Sequence, residues 1–113
     1  MTPMNYAIGI DIEKTSRFSL QNKKNFFSLL FTKREIEQCK EKKEPHIAYA
    51  GKFCAKEAVI KAFEGKIDMK QIEILNTPEG KPEVYISGEK RSDIKCSISH
   101  TEENAIAFVL RMY

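Results

Sequence analysis

Residues Ala50 to Phe63 read AGKFCAKEAVIKAF. At about 100° per residue, Phe53, Ile60, Phe63, Val59, Ala55, Ala62, Ala58, Cys54 and Ala50 leave almost no arc of this helix free of apolar side chains. A helix of that kind is enclosed by protein on most sides, and we expect it to pack on a sheet. Its charges are harder to place. Glu57 falls between Phe53 and Cys54 on the wheel, Lys61 one turn on shares its side, and Lys52 and Lys56 fall on another edge.

Upstream of this stretch, Pro45 suits the first turn of the same helix, and Gly65 is placed to stop it. Thr32 and Glu35 have capping-box spacing and open the charged helix KREIEQCKEKK. Thr15 or Ser16 is expected to cap a short helix carrying Arg17, followed by the apolar cluster FFSLLF. Before it, NYAIGIDI at residues 5–12 alternates as a strand does, with Tyr6, Ile8, Ile10 and Ile12 on one face and Ala7, Gly9 and Asp11 on the other. The small residues of that second face are expected to leave space beside Asp11 for a ligand or a metal.

From Gln71 onward the period changes to two, in QIEIL, EVYIS, IKCSIS and AIAFVL, with Pro78-Glu79-Gly80 as the first turn. These segments are expected to form a meander of antiparallel strands. Strand first, helices next and strands last predicts a single α+β domain over residues 1–113, an antiparallel sheet with helices packed on one side.

The composition, 42% hydrophobic and 31% charged, is that of a globular protein rather than a disordered or fibrous one. The net charge of +3 is mild, and its surplus is clustered at Lys23-Lys24, Lys33-Arg34 and Lys40 to Lys43. Such clusters favour an acidic partner without requiring nucleic acid. Cys39, Cys54 and Cys96 are widely spaced with no CxxC pair, which predicts neither a disulfide framework nor a zinc site. The apolar run near the N-terminus is too short to span a membrane. A cytoplasmic location is expected.

Two readings stand for Glu57. It is either the first half of an i,i+4 salt bridge to Lys61, with Asp11 a strand-end turn residue, or it joins Asp11 in a site. Two hard oxygen ligands, one from a strand and one from a helix packed on it, suit Mg²⁺ completed by water and substrate phosphate. Lys61 would then neutralise a phosphoryl oxygen. His100, at the end of the strand CSISH, is either a polar turn residue or a site residue. No Walker loop, GxSxG or GxGxxG is present.

GIDI at residues 9–12, Arg17-Phe18, Phe31-Thr32-Lys33, AGKFCAKEAVIKAF, IEILN with Gly80-Lys81-Pro82, and SISHT at residues 97–101 occur in the order found in another group of proteins. In this respect the chain resembles the holo-acyl-carrier-protein synthases, the short class of 4'-phosphopantetheinyl transferase. The resemblance implies Mg²⁺ on Asp11 and Glu57 and catalysis by Glu57 and Lys61, with Lys61 held against the coenzyme A pyrophosphate. It also implies that His100 and Thr101 meet the nucleotide end of coenzyme A, that Lys43 and Lys52 bind the 3'-phosphate, and that Arg17, Lys23 and Lys24 dock the acidic carrier protein. Where such proteins carry a Gly-Thr-Gly turn, this chain has Phe63-Glu64-Gly65-Lys66.

On this resemblance the carrier's serine hydroxyl attacks the β-phosphate of coenzyme A, leaving phosphopantetheine on the serine and releasing adenosine 3',5'-bisphosphate. It further implies a homotrimer with each active site at a subunit interface. Nucleic acid and membrane are not among the expected partners. Two other classes stand beside this reading: a non-catalytic basic module that binds an acidic protein, and a different Mg²⁺-dependent phosphodiester enzyme.

Overall fold

The structure, a computed structural model, describes residues 4–19 and 24–113. Strand β1 (Tyr6–Lys14) is followed by a 3₁₀ turn at Thr15–Phe18 and three helices, α1 (Lys24–Leu30), α2 (Lys33–Lys40) and α3 (Pro45–Ala62). Strands β2 (Ile72–Asn76), β3 (Pro82–Ile86), β4 (Glu89–Lys90), β5 (Ile94–His100) and β6 (Asn104–Met112) complete the chain.

The expected meander divides into two antiparallel sheets of three strands each, in the orders β1-β6-β5 and β2-β3-β4. The first strand pairs with the last along its length, Tyr6 opposite Met112 and Lys14 opposite Asn104. Between β3 and β4 the backbone turns at Ser87 and Gly88, whose φ values of 51° and 85° close a tight hairpin. Past β4 the chain changes sheets at Arg91 to Asp93, where the Arg91 guanidinium grips the Asp93 carboxylate at 2.7 Å.

Helix α3 lies on the β1-β6-β5 sheet, which meets it with small side chains: Ala105, Ala107 and Val109 of β6 are buried beneath it. Gly9 of β1 makes the closest approach. A Cβ there would lie 1.9 Å from the Ala58 carbonyl oxygen. The space that Gly9 leaves on this face is therefore filled by the helix backbone. Pro45 opens α3 as the sequence predicts, and Glu64 and Gly65 leave it with positive φ values of 56° and 77°.

The FFSLLF cluster enters the core. Phe27 stacks on Tyr49 with ring centroids 4.3 Å apart, and Phe18, Phe31 and Phe53 pack around them. Helix α2 starts on the expected capping box, with both the Thr32 and the Glu35 side-chain bonds formed. Neither Thr15 nor Ser16 caps a helix, because the segment is a 3₁₀ turn without a side-chain cap. The Thr15 hydroxyl instead donates to the Glu102 carbonyl at 2.5 Å and ties β1 to the β5–β6 turn.

Among the described residues none forms a layer on the other face of the β1-β6-β5 sheet. Tyr6, Ile8, Ile10 and Ile12, at 54–63% exposure, lie in the open together with Ile106 and Phe108.

Candidate active site

Asp11 reaches the site because the glycine two residues earlier lets β1 lie against α3. Lys61 projects from α3 across β1: its ammonium donates to the Ile10 carbonyl at 2.8 Å and lies 3.6 Å from Asp11 Oδ1. The intrahelical Glu57–Lys61 pair does not form, since Lys61 serves the strand. Asp11 Oδ2 is buried with no hydrogen-bond partner. Burial, the neighbouring carboxyl of Glu13 and the charge of Glu57 push the Asp11 pKa up to about 6, against the pull of Lys61.

Glu13 is the member of this group that sequence reasoning missed. It shares the inward face of β1 with Asp11 by the period of two, so the signal was present in the alternation itself. Its carboxylate takes the Arg17 guanidinium at 2.6 Å, an i,i+4 contact that closes the strand end over the site.

An unpartnered buried carboxylate oxygen crowded by further negative charge is a place of uncompensated charge, and a hard divalent cation fits it. Among the described residues no three His, Cys, Asp or Glu side chains converge as a closed cage. The donor set thus suits Mg²⁺, which takes few protein carboxylates and completes its shell with water and substrate oxygens.

A second feature lies at the N-terminal half of α3. A cavity of about 410 Å³ is bordered by Lys42, Gly51, Lys52, Asn76, Gly80 and His100, among others. Gly51 admits β5 here, for a Cβ would lie 3.0 Å from Ile98 Cγ2. Asp11, Glu57 and Lys61 do not border this cavity. At about 100° per residue, Glu57 leaves the helix roughly 140° round from Lys52.

The sequence profile described as the 4'-phosphopantetheinyl transferase superfamily matches residues 7–109. Holo-[acyl-carrier-protein] synthase of Chlorobium limicola is 40% identical over 116 residues, covering 91% of this chain and 90% of its own. The synthase of Clostridium novyi is 41% identical over 117 residues, covering 92% and 85%. The chain belongs to the holo-[acyl-carrier-protein] synthase family of 4'-phosphopantetheinyl transferases. Among solved structures, the Bacillus anthracis synthase in complex with CoA (3',5'-ADP) matches with a TM-score of 0.80 at 30% identity, covering 97% of this chain and 98% of that one. The Helicobacter pylori synthase in complex with coenzyme A matches with a TM-score of 0.71 at 30% identity, covering 90% and 96%.

The remaining residues singled out in this transferase from its sequence take varied positions. His100 is exposed and borders the cavity. Thr101 does not; its hydroxyl accepts from the Glu103 and Asn104 N–H groups and shapes the β5–β6 turn. Lys43 is exposed outside the cavity wall, which its neighbour Lys42 borders. Arg17 is half-exposed over the Phe53 ring, 5.0 Å from its centroid. Lys23 lies outside the described residues, and for Lys24 only its backbone at the start of α1 is described.

Lys52 departs furthest from expectation. It is 3% exposed, and its ammonium donates to Gln38 Oε1 at 2.8 Å, the Ile74 carbonyl at 2.7 Å and Asn76 Oδ1 at 2.8 Å. An ammonium has three N–H donors. All three are engaged by protein oxygens in this arrangement, so a role for Lys52 at the 3'-phosphate would require it to exchange one of them.

Proposed function

We propose that the protein transfers the 4'-phosphopantetheine group of coenzyme A to a serine of an apo-acyl carrier protein, with Mg²⁺ held by Asp11 and Glu57. The observation that carries this reading is the buried, unpartnered Asp11 Oδ2 beside Lys61 and Glu57 in a chain of this family. The relatives' names supply the substrate pair. A structural Glu57–Lys61 pair, on which a purely non-catalytic module would rest, is not what Lys61 makes.

In this reaction the serine oxygen bonds to the β-phosphorus and the bond to the bridging anhydride oxygen breaks, releasing adenosine 3',5'-bisphosphate. Lys61 is held by Ile10 and Asp11 with its side chain half-exposed, so it still presents N–H toward a phosphoryl oxygen whose charge grows in the transition state. The serine proton passes either to Glu57 or to a water at the site. When bound, Mg²⁺ supplies charge neutralisation at the pyrophosphate. His100, Thr101 and Lys43 mark the nucleotide side, with Lys42 on the cavity wall. Arg17 is offered to the acidic carrier protein, and the resemblance assigns Lys23 and Lys24, outside the described side chains, to the same docking role.

The functional unit in this reading is a homotrimer with sites at the subunit interfaces. Two observations support it: the bare apolar face of β1 and β6, which is larger than scattered surface residues explain, and the separation of the cavity from the carboxylates within one chain. We place the reaction in the cytoplasm; among the described residues no helix is long and apolar enough to cross a membrane.

The test is direct. Protein, coenzyme A and Mg²⁺ are incubated with an apo-acyl carrier protein, and the carrier is weighed by mass spectrometry. A gain of one phosphopantetheine is expected. A folded protein that adds no mass, with Mg²⁺ present, defeats the transferase reading and leaves the binding module or another phosphodiester reaction.

A further inference from the structure

The outer edge of β2 has no neighbouring strand in its sheet, yet its backbone groups are met by side chains. Glu35 Oε2 accepts from the Ile74 N–H at 2.7 Å, and Lys52 donates to the Ile74 carbonyl. Two residues on, the Gln38 amide accepts from Asn76 N–H and donates to the Asn76 carbonyl, both at 3.0 Å, as a paired strand would. Lys52 also joins Gln38 Oε1 to Asn76 Oδ1. Asn76 Nδ2 then donates to the Gly80 carbonyl at 3.2 Å.

The turn beyond is closed by Thr77 N–H to the Lys81 carbonyl at 2.9 Å and Gly80 N–H to the Thr77 carbonyl at 2.8 Å. Asn76, Gly80 and Pro82 border the cavity. Lys52 is thus joined to that wall through Asn76, and each of its three bonds ends on an oxygen that fixes either the β2 edge or the turn. Burial lowers its pKa, while the three oxygen acceptors favour the charged form.

We infer that Lys52 is a positioning residue of the coenzyme cavity: with Gln38 it fixes Asn76 and the 77–81 turn that walls the nucleotide end, while the phosphate is met by the exposed Lys42. This rests on the function proposed above. It makes Lys52 important to every coenzyme that uses the wall, with or without a 3'-phosphate.

The experiment compares KM and kcat for coenzyme A and for coenzyme A lacking its 3'-phosphate, in wild type, Lys52→Met, Asn76→Ala and Lys42→Met, with calorimetric binding of both ligands. Lys52→Met and Asn76→Ala are expected to raise KM by about tenfold for both coenzymes alike, with kcat little changed. Lys42→Met is expected to weaken only the phosphorylated one. A Lys52→Met penalty confined to the 3'-phosphorylated coenzyme overturns the inference in favour of direct phosphate binding. A lowered melting temperature with both KM values unchanged overturns it in favour of a purely structural role. Should Lys52→Met not fold, Asn76→Ala, at a part-exposed position, decides by the same criteria. Wild type that binds neither coenzyme defeats the function proposed above and this inference with it; wild type that binds, beside unaffected variants, defeats this inference alone.

Discussion

Gly9 and Ala58 meet backbone to backbone, so closely that a methyl group on Gly9 would stand 1.9 Å from the Ala58 carbonyl oxygen. The atom obstructing it belongs to a helix backbone and cannot swing aside. Gly9→Ala is expected to cost about 3 kcal/mol or more and to separate β1 from α3, carrying Asp11 away from Lys61. Chemical denaturation of the variant beside wild type measures the cost. A Gly9→Ala protein of wild-type stability would show that strand and helix are not held as described.

The carboxyl of Asp11 titrates near 6 in the folded chain, against 3.8 for a free aspartate. A raised acid pKa means that the folded state holds its proton more tightly than the unfolded state. Stability of the metal-free protein is therefore greatest, as regards this group, below about pH 4, and is lost as the pH rises through about 6. Asp11→Asn removes that loss: at pH 7.5 without metal its melting temperature is expected to rise by roughly 5 °C, while transfer activity disappears. Mg²⁺ should raise the melting temperature of wild type and leave the variant unmoved. A variant less stable than metal-free wild type would contradict the crowding of negative charge at this position.

Glu35 and Lys56 form an ion pair at 2.5 Å with 0% and 1% of their side chains exposed. Lys56 also donates to the Leu30 carbonyl at 2.8 Å, and Glu35 accepts from Thr32 and Ile74. Lys56→Met leaves a buried carboxylate without its cation and is expected to cost about 3–5 kcal/mol. Adding Glu35→Gln, which removes the stranded charge, should recover much of that cost. A double-mutant cycle in urea measures the coupling; strict additivity would mean that the two charges do not sense each other.

Ile8→Glu places a carboxylate in the middle of the bare apolar face. If copies of this chain cover that face, the variant sediments as a folded monomer and transfers little phosphopantetheine, although Asp11, Glu57 and Lys61 are untouched. Wild type that sediments as a monomer while fully active would overturn the trimer.

The starts of α2 and α3 were legible because their signals are local. Thr32 and Glu35 close a capping box across one turn, Pro45 starts α3, and the apolar wrap of residues 50–63 foretold a helix enclosed by other elements. Strand partnership was not legible: a period of two identifies a strand and its faces, but nothing in it joins residues 6–14 to 104–112. The same period could not say that the larger side chains of β1 face outward. That follows from Gly9, whose missing side chain draws the opposite face against α3.

That Asp11 and Lys61 lie together was foreseeable from a strand packed on an enclosed helix, whereas the i,i+4 spacing of Glu57 and Lys61 pointed to a pair that did not form. The burial of Lys52 was not legible, because lysine ordinarily lies at the surface. The oxygens that make its burial tolerable come from Gln38, Ile74 and Asn76, which lie 14 to 24 residues away in sequence. Glu13 was passed over for a different reason, that a carboxylate at the end of an exposed strand is ordinarily a solvated one.

The pairing of β1 with β6 sets an order in time. The strand bearing Asp11 is made well before β6, the one strand it is hydrogen-bonded to among the described residues. Until residues 104–112 have been made, Gly9 has no completed sheet on which to receive α3, and Asp11 has no fixed station opposite Lys61. A chain cut before residue 104 accordingly leaves its apolar strand 6–14 unpaired, and that strand is the segment that a chaperone or protease would meet.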